Sequence, residues 1–210
     1  ERTEYTFTDL SPLFLERAAE QFSAFPFVRH ALLDIERDPL SQGFEPASFD
    51  IVIAANVLHA TADLRQTLSH VQRLMSRGAL LLLLEGLAPQ RWVDLSFGLT
   101  EGWWRFTDSQ VRPEYPLIGR AGWLDLLHDI GFADAAAIPE EDGALRCTVE
   151  QALIVARAPQ GGRQWALIGS EGAIGTALAD QLRARGDAVT CLPLEAPESA
   201  LPPSADLVYL

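Results

Sequence analysis

Five side chains able to do chemistry stand at the ends of apolar runs: Asp9, Asp34, Asn56, His59 and Glu85. A histidine can take a proton near neutral pH. A carboxylate beside it can hold the imidazole in one tautomer and stabilise its protonated form. His59 follows one apolar run and Glu85 closes the next. Neighbouring strands lie about 5 Å apart, so these two can meet if the runs are adjacent strands. Asp9 and Asp34 read on their own as turn or cap residues as readily as ligand contacts.

The elements that must position these residues follow from patterning. Tyr5 to Asp9 reads as a strand. Pro12 opens a helix with Leu13, Phe14, Ala18 and Phe22 on one face. Phe27 to Leu33 is a strand ending at Asp34. Ile51 to Ala55 is a short apolar run of the kind buried on both faces of a parallel sheet. Asp63 to Ser76 has helical spacing, and Gly78 is the expected stop. Ala79 to Leu84 is a second apolar strand. Such alternation predicts an α/β fold with a mostly parallel sheet, where ligands bind beyond the carboxyl ends of the strands.

The stretch from Pro89 to Pro116 is different. It is long, irregular and aromatic, with Trp92, Phe97, Trp103, Trp104, Phe106 and Tyr115, and it reads as a lid or pocket wall. A helix over Trp123–Ile130 ends at Gly131. Ala133–Ile138 and Gln151–Ala156 read as an antiparallel hairpin at a sheet edge, joined by the acidic turn Glu140–Gly143. Residues 159–163 form a linker between a unit at 1–158 and a fresh start at 164–210. There Gly169, Gly172 and Gly175 precede a helix running to Arg185 and Gly186, then strands at Ala188–Leu192 and Asp206–Leu210, as at the start of a Rossmann-type unit.

Composition bounds the functions. At 48% hydrophobic and 21% charged residues, disorder is excluded for most of the chain. The net charge of −13 and the scattered arginines argue against nucleic acid. The chain has no lysine, which excludes Schiff-base or P-loop lysine chemistry within it. Cys147 and Cys191 form neither a zinc cluster nor a disulfide framework, and His30, His70 and His128 show no metal spacing, so no metal is expected. The apolar run Ala79–Leu84 is too short to span a bilayer. A cytoplasmic, reduced setting is expected.

Several phrases, in order, carry a resemblance. They are Phe7-Thr-Asp-Leu-Ser11, Asn56-Val-Leu-His-Ala-Thr61, Leu84-Glu85, Gly98-Leu-Thr-Glu-Gly-Trp-Trp104, Arg112-Pro-Glu-Tyr-Pro-Leu117 and Gly131-Phe132. Together they resemble the methyltransferase domains embedded in modular polyketide synthases, over Tyr5 to about Pro159. The resemblance implies a class I S-adenosylmethionine-dependent, Rossmann-like fold. It implies that Asp9 binds the cofactor ribose, that Asp34 and the backbone at Ile35 contact the adenine, and that Asn56 lies near the methionine end. It further implies a His59–Glu85 catalytic pair and an acyl pocket walled by Trp103, Trp104 and Tyr115. The implied partners are an acyl carrier protein bearing a phosphopantetheine-tethered acyl chain and other domains of the same synthase.

Residues 164–210 resemble part of the structural ketoreductase half that follows such methyltransferases, so no NADPH is expected there. The family's glycine-rich cofactor loop and first strand are not found, and the segment is expected to be an excerpt that neither folds well nor turns over alone. Three functions remain open: C-methylation at the α-carbon of a β-ketoacyl chain, O-methylation of a hydroxyl or enol oxygen of the same chain, and a non-catalytic scaffold. Carrier proteins are commonly acidic, so docking is expected to rely on local arginines or tethering and not on net charge.

Overall fold

A computed structural model describes residues 3–139, 151–159, 164–184, 187–197, 200–202 and 205–210. The acidic turn Glu140–Gly143, Cys147, most of the linker, Arg185, Gly186 and Pro203 lie outside the described residues. The chain divides into two compact units, Glu1–Ala158 and Pro159–Leu210.

In the first unit, β1 (Tyr5–Asp9) and β2 (Val28–Leu32) pair in parallel and are joined by α1 (Pro12–Gln21). Pro12 takes the first turn, where its missing N–H costs nothing. The apolar face expected for α1 is only partly used. Ala18 is buried, but Leu13 and Phe14 are each 51% exposed. This helix packs chiefly on β1 and β2, a two-stranded ribbon too narrow to cover the whole stripe.

The second sheet has the order β3–β4–β6–β5. Its strands are β3 (Phe49–Ala55), β4 (Met75–Gly86), β5 (Ala133–Ile138) and β6 (Gln151–Arg157). β3 and β4 are parallel, whereas β6 runs antiparallel to both of its neighbours. The expected hairpin thus exists, with β6 inserted between β4 and the edge strand β5. The expectation that Ile51–Ala55 is buried on both faces fails. Val52 and Ala54 pack on the core, while Ile51 and Ile53 are more than half exposed. Successive strand residues point to opposite faces, and the helices cover one of them.

Those helices are α2 (Leu64–Leu74) and α4 (Arg120–Ile130). Leu64, Leu68 and Val71 from α2 meet Trp123 and Leu127 from α4 over Leu81, Leu83 and Ile154 of the sheet. Asp63 caps α2 by accepting from Gln66 N at 3.0 Å. Two expected boundaries move. α2 stops at Leu74, because Met75 is already extended at φ −81° and ψ 134°. Gly78 is not the helix stop but lies inside β4 at φ +66°. There β4 outruns β3, since Phe49 faces Met75 but Ile51 faces Leu80, and glycine tolerates the left-handed bend. Gly131 does end its helix as expected, at φ +95°, with Phe132 N bonded to Leu127 O at 2.9 Å. That helix, α4, begins three residues before the expected Trp123, because Gly119 and not the tryptophan starts it. A further short helix, α3 (Arg91–Ser96), opens the aromatic stretch.

The second unit holds β7 (Gln164–Ile168), α5 (Ala173–Ala184), β8 (Ala188–Leu192) and β9 (Asp206–Tyr209). Its three strands are parallel in the order β8–β7–β9. Gly175 is sterically required, since a Cβ there would lie 2.3 Å from Ser170 O. Among the described residues no helix is long and apolar enough to cross a membrane.

The division of α1 and α4 into an open face and a core face is testable by denaturant unfolding of the polypeptide. Leu127→Ala removes a fully buried side chain and should cost about 2–5 kcal/mol. Leu13→Ala should change stability by less than about 0.5 kcal/mol. Equal effects would contradict this packing.

Candidate active site

β3 and β4 end side by side, and Asn56 begins the turn from β3 to α2. Its N–H donates to Leu84 O at 2.7 Å, and its φ of +52° swings the chain back. Asparagine is among the few non-glycine residues that accept this conformation readily. A 3-10 turn over Leu58–Ala60 then carries His59 over the end of β4.

His59 Nδ1 lies 2.6 Å from Glu85 Oε2. The Glu85 side chain is fully buried and that of His59 is 12% exposed. Glu85 Oε1 also accepts from Val57 N at 3.2 Å and Leu58 N at 2.9 Å. A buried carboxylate left unpaired costs several kcal/mol, and these three contacts give it partners beneath the turn. With Nδ1–H donating to the carboxylate, Nε2 keeps its lone pair and can accept a proton.

An aromatic wall stands beside the imidazole. Trp103 meets His59 edge-on at 5.4 Å between ring centroids and stacks on Phe97 at 6.0 Å. Tyr115 lies 6.1 Å from Trp103, and Trp104 lies 5.8 Å from Tyr115. The Tyr115 hydroxyl donates to Asp94 Oδ1 at 2.5 Å. Burial, followed by the bond to Asp94 and its charge, pushes the phenol up to about 12. The Trp103 indole N–H works in the other direction, although it is buried without a hydrogen bond of normal geometry.

The remaining expected residues sit at the ends of the other sheet. Asp9 Oδ1 accepts from Ser11 N at 2.8 Å, and Asp34 Oδ1 accepts from Glu36 N at 3.0 Å. Each is therefore a turn-forming aspartate, with its second oxygen free of hydrogen bonds among the described residues. Leu33 N donates to Asp9 O at 3.1 Å, which ties the two strand ends together. Ile35 offers its carbonyl to His70 Nδ1 at 2.8 Å and packs on the core. Neither aspartate contacts His59 or Glu85 among the described residues.

The bridge between the two groups is Glu36, which sequence reasoning missed. Its Oε1 accepts from Ala62 N at 2.5 Å, and its Oε2 pairs with Arg105. Arg112 and Asp108 close the far side of the same turn and were missed as well, as was Asp94. Glu36 lies two residues after Asp34, which was the one available signal; the other partners are distant in sequence. Among the described residues no group of three or more His, Cys, Asp or Glu could hold a metal ion.

Residues 1–81 match a family described as a methyltransferase domain. The polyketide synthase ThaG of Burkholderia thailandensis is 42% identical over 135 residues, which are 63% of this chain and 2% of the synthase. The chain thus spans a small part of the curated relatives it matches. The crystal structure of the CurJ carbon methyltransferase is 49% identical with a TM-score of 0.72, over 75% of this chain and 42% of that one. The trans-methyltransferase CalH, in complex with SAH, is 37% identical with a TM-score of 0.65, over 74% of this chain and 42% of that one. The fold is that of the class I methyltransferases. With the His59–Glu85 pair set at the ends of its strands, this chain carries a methyltransferase domain homologous to those of polyketide synthases, their carbon methyltransferases included.

Proposed function

We propose that this segment transfers a methyl group from S-adenosylmethionine to the α-carbon of a β-ketoacyl chain tethered through phosphopantetheine to an acyl carrier protein. The observation that carries the reading is the 2.6 Å contact between His59 Nδ1 and the buried Glu85. The likeness to a carbon methyltransferase at 49% identity supports carbon over oxygen as the target.

The strand ends fit the cofactor. Among the described residues Asp9 and Asp34 each keep one carboxylate oxygen free for hydroxyl or amino donors. Asp9 would hold the ribose, Asp34 and the Ile35 backbone the adenine, and Asn56 the methionine end. Once bound, the cofactor supplies a methyl group on a positively charged sulfur, which leaves as a neutral thioether. The chain's own part is proton removal. His59 Nε2 takes the α-proton, and the freed electron pair remains on the acceptor as an enolate. Glu85 holds the imidazole tautomer and offsets the positive charge it gains. Trp103, Trp104 and Tyr115 wall the acyl pocket and exclude water.

Residues 1–158 form the methyltransferase part. Residues 164–210 are part of a structural ketoreductase-like subdomain that needs no NADPH. Other domains of the synthase are the natural neighbours of both.

Two measurements test this reading, and a third tests the aromatic wall. Labelled S-adenosylmethionine and a carrier-bound β-ketoacyl substrate, given to the intact synthase, should place the label on the α-carbon by mass spectrometry. Label on oxygen would overturn the carbon assignment. His59→Ala should lower kcat by about 10²- to 10⁴-fold. Glu85→Gln should lower it by a similar or larger factor, because an amide NH₂ facing Nδ1 forces the other tautomer, a change worth about 10⁴-fold in a serine protease triad. Wild-type rates in either variant would remove the pair from the mechanism.

The third measurement is a spectroscopic phenol titration. Tyr115 should ionise near 12, above its ordinary 10, and Asp94→Asn should bring it partway down. A folded-state value above the unfolded one means that this contribution to stability is complete below pH 10 and declines as pH rises through about 12. An unchanged titration in Asp94→Asn would contradict the assigned bond.

A further inference from the structure

We infer that Arg112 is the positioning residue for the His59 turn, the cationic counterpart of Glu85. The inference rests on His59 as the base. Arg112 is fully buried, and each of its three guanidinium nitrogens is hydrogen-bonded. Its Nη1 donates to His59 O at 2.8 Å. Its Nη2 donates to Thr61 O at 2.8 Å and to Ala62 O at 3.0 Å. Its Nε donates to Asp108 Oδ1 at 2.6 Å, and the guanidinium lies 5.3 Å from the Phe106 ring centroid. Asp108 Oδ2 in turn accepts from Leu64 N at 2.9 Å, in the first turn of α2.

Glu85 and Arg112 therefore grip one turn from its two polar sides. The carboxylate takes the N–H groups of Val57 and Leu58 and the imidazole Nδ1. The guanidinium takes the carbonyls of His59, Thr61 and Ala62. His59 is the residue they share, held through its ring by one and through its backbone by the other. Fixing only the ring nitrogen would leave the Cα free to move, and with it the direction of Nε2. A planar fork with five donors in fixed directions can hold three carbonyls and a carboxylate at once; a lysine ammonium has three donors on a flexible stem. Arg112 has no part in proton transfer itself. It acts through the aim of His59.

The test uses the intact synthase polypeptide with a carrier-bound β-ketoacyl substrate. Arg112→Lys keeps the charge and loses the fork. It should lower kcat by about 10- to 100-fold, the range for groups that orient a functional ligand, with KM for the carrier substrate changed by less than about twofold. Affinity for SAH, measured by calorimetry, should also stay within about twofold. Asp108→Asn should show the same split with a smaller loss. In Arg112→Ala, added guanidinium ion should restore at least about tenfold of the lost kcat, and it should restore none in His59→Ala. Where Arg112→Ala does not fold, the lysine and Asp108 variants decide.

A wild-type kcat in Arg112→Lys overturns the inference. So does a parallel fall of kcat and SAH affinity, which marks a merely structural role. So does the absence of guanidinium rescue in a folded Arg112→Ala. If His59→Ala is inactive while Arg112→Lys is normal, the positioning role alone fails. If His59→Ala retains full activity, the reading of the base fails first.

Discussion

The buried carboxylate of Glu85 is the constraint on which the site depends. A carboxylate sealed from water at the end of an apolar strand must collect donors from whatever crosses above it. Two of its donors are backbone N–H groups and the third is an imidazole, all from residues 57–59. The connection after β3 is thereby obliged to fold back over β4. Asn56 makes that possible by taking a left-handed backbone, and the parallel register that sets Ala55 beside Leu84 brings the two ends level. Strand register, turn conformation and the aim of His59 meet at this one carboxylate.

Polar contacts extend this arrangement in two directions. Toward the first sheet, Glu36 ties the loop after β2 to Ala62 and Arg105. Through it the loop carrying Asp34 and Ile35 and the turn carrying His59 share a partner, although among the described residues the strands of the two sheets are not paired with each other. Toward the aromatic side the links are ring contacts, from His59 through Trp103 to Tyr115 and Trp104, ending at the polar anchor Asp94. His59 thus has apolar ring contacts on one side and fixed hydrogen bonds on the other.

Much of this was legible because it obeys local rules. The strand endings, the Pro12 start, the Gly131 stop and the helical spacing of Leu64, Leu68 and Val71 are statements about near neighbours in sequence. His59 and Glu85 were legible as a pair because adjacent apolar strands bring their ends together. Gly78 misled because the left-handed geometry that ends a helix also bends a strand, and sequence does not distinguish the two. The exposed Ile51 and Ile53 could not be foreseen, since a β-branched apolar run looks the same whether one face or two are covered. Arg112 opens the phrase Arg112-Pro-Glu-Tyr-Pro-Leu117, but nothing local says that an arginine will sink to full burial. Asp108 is a near neighbour, but the carbonyls of His59, Thr61 and Ala62 lie some fifty residues upstream, and only the tertiary fold supplies them.

One consequence concerns β6. In a parallel sheet every strand delivers its last residue to the rim where ligands gather. β6 runs the other way, so it delivers its first. Glu85 pairs with Ala152 and Gly86 with Gln151, and the Gln151 amide reaches Asn56 Oδ1 at 3.2 Å. The reversed strand thus adds a hydrogen-bonding side chain to the rim at the point where the chain enters the sheet. Along this edge the approach to a strand becomes as well placed as the exit, and the rim draws on polypeptide arriving from both directions.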